Sequence, residues 1–390
     1  MTHCTWLKTR DTGKLMEQAN ILIIGGGVIG CAIAHALAER HQDVFLVEQN
    51  PRVGMATSTR NSGVIHSGIY YPKGSLKARL CVAGNPLAYE FCVKHNVPHR
   101  HTGKLVVAAD AREEAELVAL KKRGEDNGVE GLRIVGPAEI RVREPHIRGT
   151  AALEVPSTGI LSSEDLVRTF ARLAVERGAN LVTHARVTAL EPKGNSIRAT
   201  VCVGNESEAQ IETIEARCVV NAAGLFSDEI AAMLGNHSWK IYPVRGEYCE
   251  IRGRRASLIQ SLVYPLPHAD GLSLGVHFTK TLWGTVLLGP SATYVDSKDN
   301  YERDRLPIAD FAESARHLLP EVAESDLQLG YSGLRPKLVP PTGRGIADFV
   351  ITRDPNVPQA IQLVGIESPG LTAAPAIARH VAALVAETLH

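Results

Sequence analysis

A strand, a glycine loop, a helix and a second strand follow one another from Ile21 to Glu48, and this unit constrains the fold more than any other stretch. Ile21–Ile24 is a short apolar run ending in glycines. Val28–Arg40 has helical spacing with small residues at Cys31, Ala32 and Ala34, and Val44–Glu48 reads as a strand. The loop Gly25-Gly26-Gly27-Val28-Ile29-Gly30 fits G-x-G-x-x-G. In such a loop Gly25 makes the tight turn, Gly27 lets a pyrophosphate approach the backbone, and Gly30 lets helix and strand pack closely. The helix start at Val28 and Ile29 offers unpaired N–H groups and a positive dipole end to phosphates. Glu48, with Gln49 beside it, closes the second strand where a carboxylate accepts from ribose hydroxyls. The unit implies a bound dinucleotide. It does not choose between FAD and a nicotinamide cofactor, which share the fingerprint.

Elsewhere the periodicity predicts helices from Ser75 towards His95 and over Arg112–Asp126, Glu164–Arg177, Ala309–Leu319 and Leu371–Leu389. It predicts strands at Lys104–Ala109, Leu181–His184, Arg186–Leu190, Ala347–Thr352 and Ile361–Val364, and a mostly β stretch from Lys240 to Pro290. The expected architecture is α/β, with two interleaved parts. A Rossmann-like dinucleotide domain takes residues 19–84, 155–235 and 330–390, and a mainly antiparallel β-sheet domain takes 85–154 and 236–329. Residues 1–18 are expected to be a disordered or mis-assigned extension, with Met16 as an alternative start.

Composition narrows the setting. A formal net charge of zero argues against nucleic acid as a partner. The seven cysteines are scattered without a CxxC pair, so neither a disulfide framework nor a metal site is expected. Reduced thiols and the lack of a signal-type apolar run point to the cytoplasm. No stretch approaches the roughly 18 apolar residues of a spanning helix, which limits membrane contact to a peripheral one at an inner face.

Elements far downstream favour FAD. Val219-Val220-Asn221-Ala222-Ala223-Gly224 is a strand ending in small residues, suited to lie against a cofactor, with Ala223 and Gly224 nearest it. Val187 follows a helix–strand unit, where its backbone faces an adenine edge. Leu363 to Thr372 is again strand, glycine loop and helix start, and the N–H groups around Gly370, Leu371 and Thr372 suit a reduced flavin ring.

MEQANILIIGGGVIGCAIAHALA, Glu48, VVNAAG and the closing loop–helix together resemble the FAD-dependent oxidoreductases of the D-amino-acid oxidase and glycine oxidase type, from about residue 18 to the end. Within that superfamily, RNSGVIHSGIYY (60–71), PVRGEY (243–248) and LGVHFT (274–279) are similar to the L-2-hydroxyglutarate dehydrogenases and oxidases. After Gly333-Leu334-Arg335 the chain reads PKLVPPTGRG, a departure from the better-known members. The resemblance implies a glutathione-reductase-type FAD domain, non-covalent FAD in extended form, and substrate under a β-sheet lid. It implies oxidation of a 2-hydroxy acid, L-2-hydroxyglutarate to 2-oxoglutarate, by hydride transfer to flavin N5. Oxygen, a quinone or a carrier protein would then take the electrons.

For that chemistry His66 is the first candidate base, since histidine titrates near working pH. A cofactor contact or a covalent bond to flavin are the other readings of His66. His277 is the second candidate. Arg335 and Arg245 are candidates for a carboxylate, because a guanidinium fork matches it bidentately, and Lys337 and Tyr70 for a second, distal carboxylate. Thr57, Ser58, Asn61 and Ser62 are expected on the pyrophosphate or ribityl chain, and Gly333 beside the cofactor. The rival readings are an amine oxidase of glycine or sarcosine type, a non-catalytic FAD protein and a nicotinamide-dependent dehydrogenase.

Overall fold

The protein is described by a computed structural model covering residues 16–205, 209–267 and 275–389. Its first strand, Met16–Ile24, is longer than the apolar run because Met16–Ala19 pair in parallel with Thr213–Ala216. The strand therefore begins inside the segment expected to be an extension. Residues 1–15 and Leu274 lie outside the described residues.

An eight-stranded sheet runs in the order Ala185–Lys193, Ser196–Val203, Gln210–Asn221, Met16–Ile24, Val44–Val47 and Asn180–Val182. Ala360–Val364 also pairs in parallel with Gln210–Asn221 and carries Val350–Arg353 on its far side. The apolar run of the first strand is explained by burial on both faces. Ile21 and Ile23 join the core under the helices Val28–Ala38, Ser163–Glu176 and Gly370–Leu389, while Leu22 and Ile24 pack on the opposite face with Phe45, Val47 and Leu190. Helix Leu76–His95 contributes Leu80, Ala88 and Cys92 to the first of these cores.

A nine-stranded sheet runs Thr293–Tyr294, Tyr242–Ile251, Val286–Gly289, His277–Lys280, Leu262–Pro265, Lys104–Ala108, Ala151–Val155 and Arg133–Val135. The strand Leu327–Lys337 pairs along Tyr242–Ile251. All its pairings are antiparallel except that of Leu262–Pro265 with Lys104–Ala108. Gly330, Gly333 and Pro336 weaken the strand pattern of Leu327–Lys337 in the sequence, and its long antiparallel partner supplies the order. This strand matters most for the site, because it carries Arg335 and Lys337.

Candidate redox active site

A cavity opens at the carboxyl ends of the parallel strands, bounded by Ile24, Val47, Ala222 and Leu363. Open α/β sheets bind ligands at this position. Gly25 has φ 108°, and a Cβ there would lie 2.5 Å from the Ala222 carbonyl oxygen. Gly27, Val28 and Ile29 line the cavity. Gly30 does not face it; a Cβ on Gly30 would lie 1.9 Å from the Gly25 carbonyl oxygen, so its job is to let the helix close on the loop.

Glu48 and Val187 are buried at the cavity wall, which the exposed Gln49 also lines. Its Oε2 accepts from the Gly26 N–H at 2.7 Å, and its Oε1 from the Asn50 N–H at 2.8 Å and Nδ2 at 2.6 Å. A carboxylate has about four acceptor sites, so capacity remains for hydroxyls. Ser58 Oγ accepts from the Val28 N–H at 2.8 Å and so covers the first donor of the helix. Thr57 Oγ1 donates to the Leu334 carbonyl at 2.7 Å. Asn61 lines the cavity with Ser62, but its side chain braces its own loop: Nδ2 donates to the Ser58 carbonyl at 2.7 Å and Oδ1 accepts from the Gly63 N–H at 2.9 Å.

Ala223, Gly224, Gly333, Gly370 and Leu371 line the cavity as well. Gly224 has φ 56° and open space where a Cβ would sit, while a Cβ on Gly333 would lie 2.0 Å from the Arg60 carbonyl oxygen. Thr372 is buried beneath this wall. Its Oγ1 accepts from the His66 N–H at 2.9 Å and donates to the Val64 carbonyl at 3.3 Å, tying the closing helix to the His66 segment. A dinucleotide fits these surroundings: bare glycine backbone, a helix start and a buried carboxylate face one continuous space.

The far end of the cavity is rich in rings and cations. His66 and His277 both line it, and the Nδ1 atom of each is buried without a hydrogen-bond partner. His66 Nε2 lies 3.3 Å from Ser368 Oγ. Burial, then the charges of Lys104 and Arg335, lower the His66 pKa to about 3. Burial, then the charges of Lys104, Arg335 and His66, outweigh a hydrogen bond with the Gly275 backbone and hold His277 well below the usual range. His277 stacks on Tyr264 with ring centroids 3.8 Å apart, because Val263 pairs with Phe278 and sets the two rings opposite each other.

Arg335 and Lys337 lie two residues apart on one strand, so they share a face, and both line the cavity. Glu367 sits between Lys77 at 2.8 Å and Lys337 at 3.8 Å. Burial pushes the Glu367 carboxyl up, but Lys77, then Lys337 and Arg335, outweigh it and hold it below the usual range. Lys77, Glu367 and the buried Lys104 were not anticipated from sequence. A lysine at a helix start or opening an apolar strand looks like any surface lysine, and only the IESPG loop hinted at Glu367.

Arg245 is not brought to the site. It pairs across the sheet with Leu334, whereas Val244 pairs with Arg335. Paired residues share a face, so Arg245 points away from the face that carries Arg335. Its Nε donates to Glu247 Oε1 at 3.0 Å, and its terminal nitrogens to Asn300 Oδ1 and the carbonyls of Arg303 and Asp304. A buried ion pair thus replaces the carboxylate contact expected of it. Arg245→Met is expected to cost about 3–5 kcal/mol of stability, read from the denaturant midpoint, with substrate KM unchanged. A raised KM with unchanged stability would return Arg245 to the substrate.

A family model described as FAD-dependent oxidoreductase (DAO) matches residues 20–384. The chain belongs to the DAO family of FAD-dependent oxidoreductases. This flavoprotein is 33% identical to mouse mitochondrial L-2-hydroxyglutarate dehydrogenase, over 92% of this chain and 86% of that protein's length. It is 32% identical to L-2-hydroxyglutarate dehydrogenase of Indibacter alkaliphilus, over 90% of this chain and 95% of that one. Among solved structures, dithionite-reduced L-α-glycerophosphate oxidase from Mycoplasma pneumoniae with FAD bound superposes with a TM-score of 0.85 at 27% identity, covering 95% of each chain. Glycine oxidase from Geobacillus kaustophilus shares the fold, with a TM-score of 0.80 at 21% identity over 95% of each chain. FAD is therefore the cofactor and the protein is an oxidoreductase. Among the described residues, no helix is long and apolar enough to cross a membrane.

Proposed function

We propose that this flavoprotein oxidises a 2-hydroxy acid, with L-2-hydroxyglutarate as the substrate and 2-oxoglutarate as the product. The observation that carries the reading is that His66, its Nδ1 without a partner, stands with Arg335 and Lys337 on the wall of one cavity. The relatives named above act as support from outside the chain.

In this reading the glycine loop, Glu48, the Thr57–Ser62 segment and the Ala223–Gly224 turn hold the dinucleotide, and the start of the closing helix faces the ring. The bound flavin supplies a two-electron acceptor. Arg335 holds the carboxylate next to the reacting carbon with its guanidinium fork. Lys337 and Tyr70 take the distal carboxylate. His66 accepts the hydroxyl proton as the C–H bond is oxidised, and its lowered pKa keeps it in the base form at neutral pH. His277 is the second residue placed to take or relay that proton. The nine-stranded sheet covers the substrate while the eight-stranded sheet carries the cofactor.

Anaerobic addition of L-2-hydroxyglutarate to the purified yellow protein is expected to bleach the flavin band. An unchanged band with L-2-hydroxyglutarate, together with bleaching by sarcosine or glycine, would replace this substrate class with an amine. Admitting air afterwards identifies the acceptor. Rapid return of the band marks oxygen, and slow return points to a quinone or carrier protein.

A further inference from the structure

Lys104 lies behind the cavity wall, and its charge helps to lower the His66 and His277 pKa values; no role towards the substrate has been given to it so far. Only 2% of it is exposed. Among the described residues no carboxylate lies within ion-pair distance of it. Its Nζ donates instead to Tyr70 Oη at 3.2 Å, and it lies 4.5 Å from the Tyr70 ring centroid and 4.6 Å from that of Tyr264. Strand register accounts for this placement. Val106 pairs with Tyr264 in the parallel ladder, and Lys104, two residues earlier, shares that face. A buried ammonium without a counter-ion is costly, and two aromatic faces only partly offset it.

The geometry of the Tyr70 hydroxyl gives that cost a purpose. A phenol oxygen that accepts from Lys104 keeps its own O–H proton for another partner. Tyr70 lines the cavity, so a ligand there is the candidate acceptor of that proton. We propose that Lys104 is a positioning residue: it fixes Tyr70 as a hydrogen-bond donor towards a substrate carboxylate. The donor chain runs from Lys104 Nζ to Tyr70 Oη to the anion, and each link polarises the next. The inference rests on the proposed function in that it supplies the carboxylate.

A double-mutant cycle tests it, with FAD content as the control for folding. The substrate is L-2-hydroxyglutarate or, if only an amine acid bleaches the wild-type flavin, sarcosine. Failure of L-2-hydroxyglutarate alone therefore rejects the substrate reading while the cycle still runs. Tyr70→Phe and Lys104→Met are each expected to lower kcat/KM for flavin reduction about tenfold, as for loss of a hydrogen bond to a charged group. The double variant is expected to lose about the same tenfold, since the proposed route from Lys104 to the anion runs through Tyr70. Losses that multiply to about a hundredfold would overturn the proposal, as would wild-type rates in Lys104→Met. If Lys104→Met does not retain FAD, Lys104→Gln serves instead. It keeps an N–H donor without charge and is expected to stay within about threefold of wild type. A Gln variant that loses tenfold or more would also overturn the proposal.

Discussion

His66→Ala is expected to keep FAD bound and to slow anaerobic flavin reduction by about 10²-fold or more, the usual worth of a placed general base. The retained cofactor follows from where His66 attaches. Its backbone, not its ring, is held by Thr372 Oγ1 and by Asn85 Nδ2, which donates to the His66 carbonyl at 2.9 Å. Stopped-flow absorbance at the flavin band measures the rate. Near-normal reduction would make His66 a cofactor contact.

The pH dependence carries a definite sign. The His66 pKa is lowered to about 3, so the base form persists as pH falls, and its protonation adds no acid limb between pH 8 and 5. An ordinary histidine would add one near its unperturbed value of about 6.5. Stability responds over the same window. The unfolded chain binds a proton below about 6.5 that the folded state refuses, so this group makes the fold less stable as pH falls from about 6.5 towards 3. His66→Gln is expected to flatten that part of the curve of melting temperature against pH.

Gly30→Ala is expected to yield protein without bound FAD. The added methyl would sit 1.9 Å from the Gly25 carbonyl oxygen, a backbone atom that no rotamer change can move. The helix Val28–Ala38 would have to retreat from the strand, taking with it the helix start, where Val28 and Ile29 line the cavity. Overpacking of this kind costs about 1–3 kcal/mol in stability, but the loss of cofactor should be near complete, because phosphate recognition depends on distance and direction. Gly136→Ala is the control: nothing lies within 4 Å of a Cβ at that position. The ratio of flavin to protein absorbance after gel filtration decides between them, and a yellow Gly30→Ala protein would refute the packing account.

Much of this site was legible before any tertiary structure. Gly25, Gly27 and Gly30 each stand where their small size is needed, and Glu48 reaches the wall of the same cavity. His66, His277, Arg335, Lys337 and Tyr70 also line that cavity. These residues sit in stretches that the sequence singles out by motif or by resemblance, and the fold brings them to one space. Asn61 and Arg245 were harder to place, since an amide or guanidinium suits a ligand and a structural partner equally well.

The sequence by itself determined the dinucleotide unit Ile21–Glu48, because it depends on contacts within a few tens of residues, whereas the segment bearing His66 is held by Thr372 from the far end of the chain. Only the tertiary structure decided which cations meet the cavity. Sheet register turns Arg335 inward and Arg245 away and buries Lys104 behind Tyr70, while the docking of helix Leu76–His95 brings Lys77 to Glu367 opposite Lys337. A register one residue different would exchange the faces. The glycine loop announces the cofactor, and the pairing of distant strands selects the charges that line the cavity.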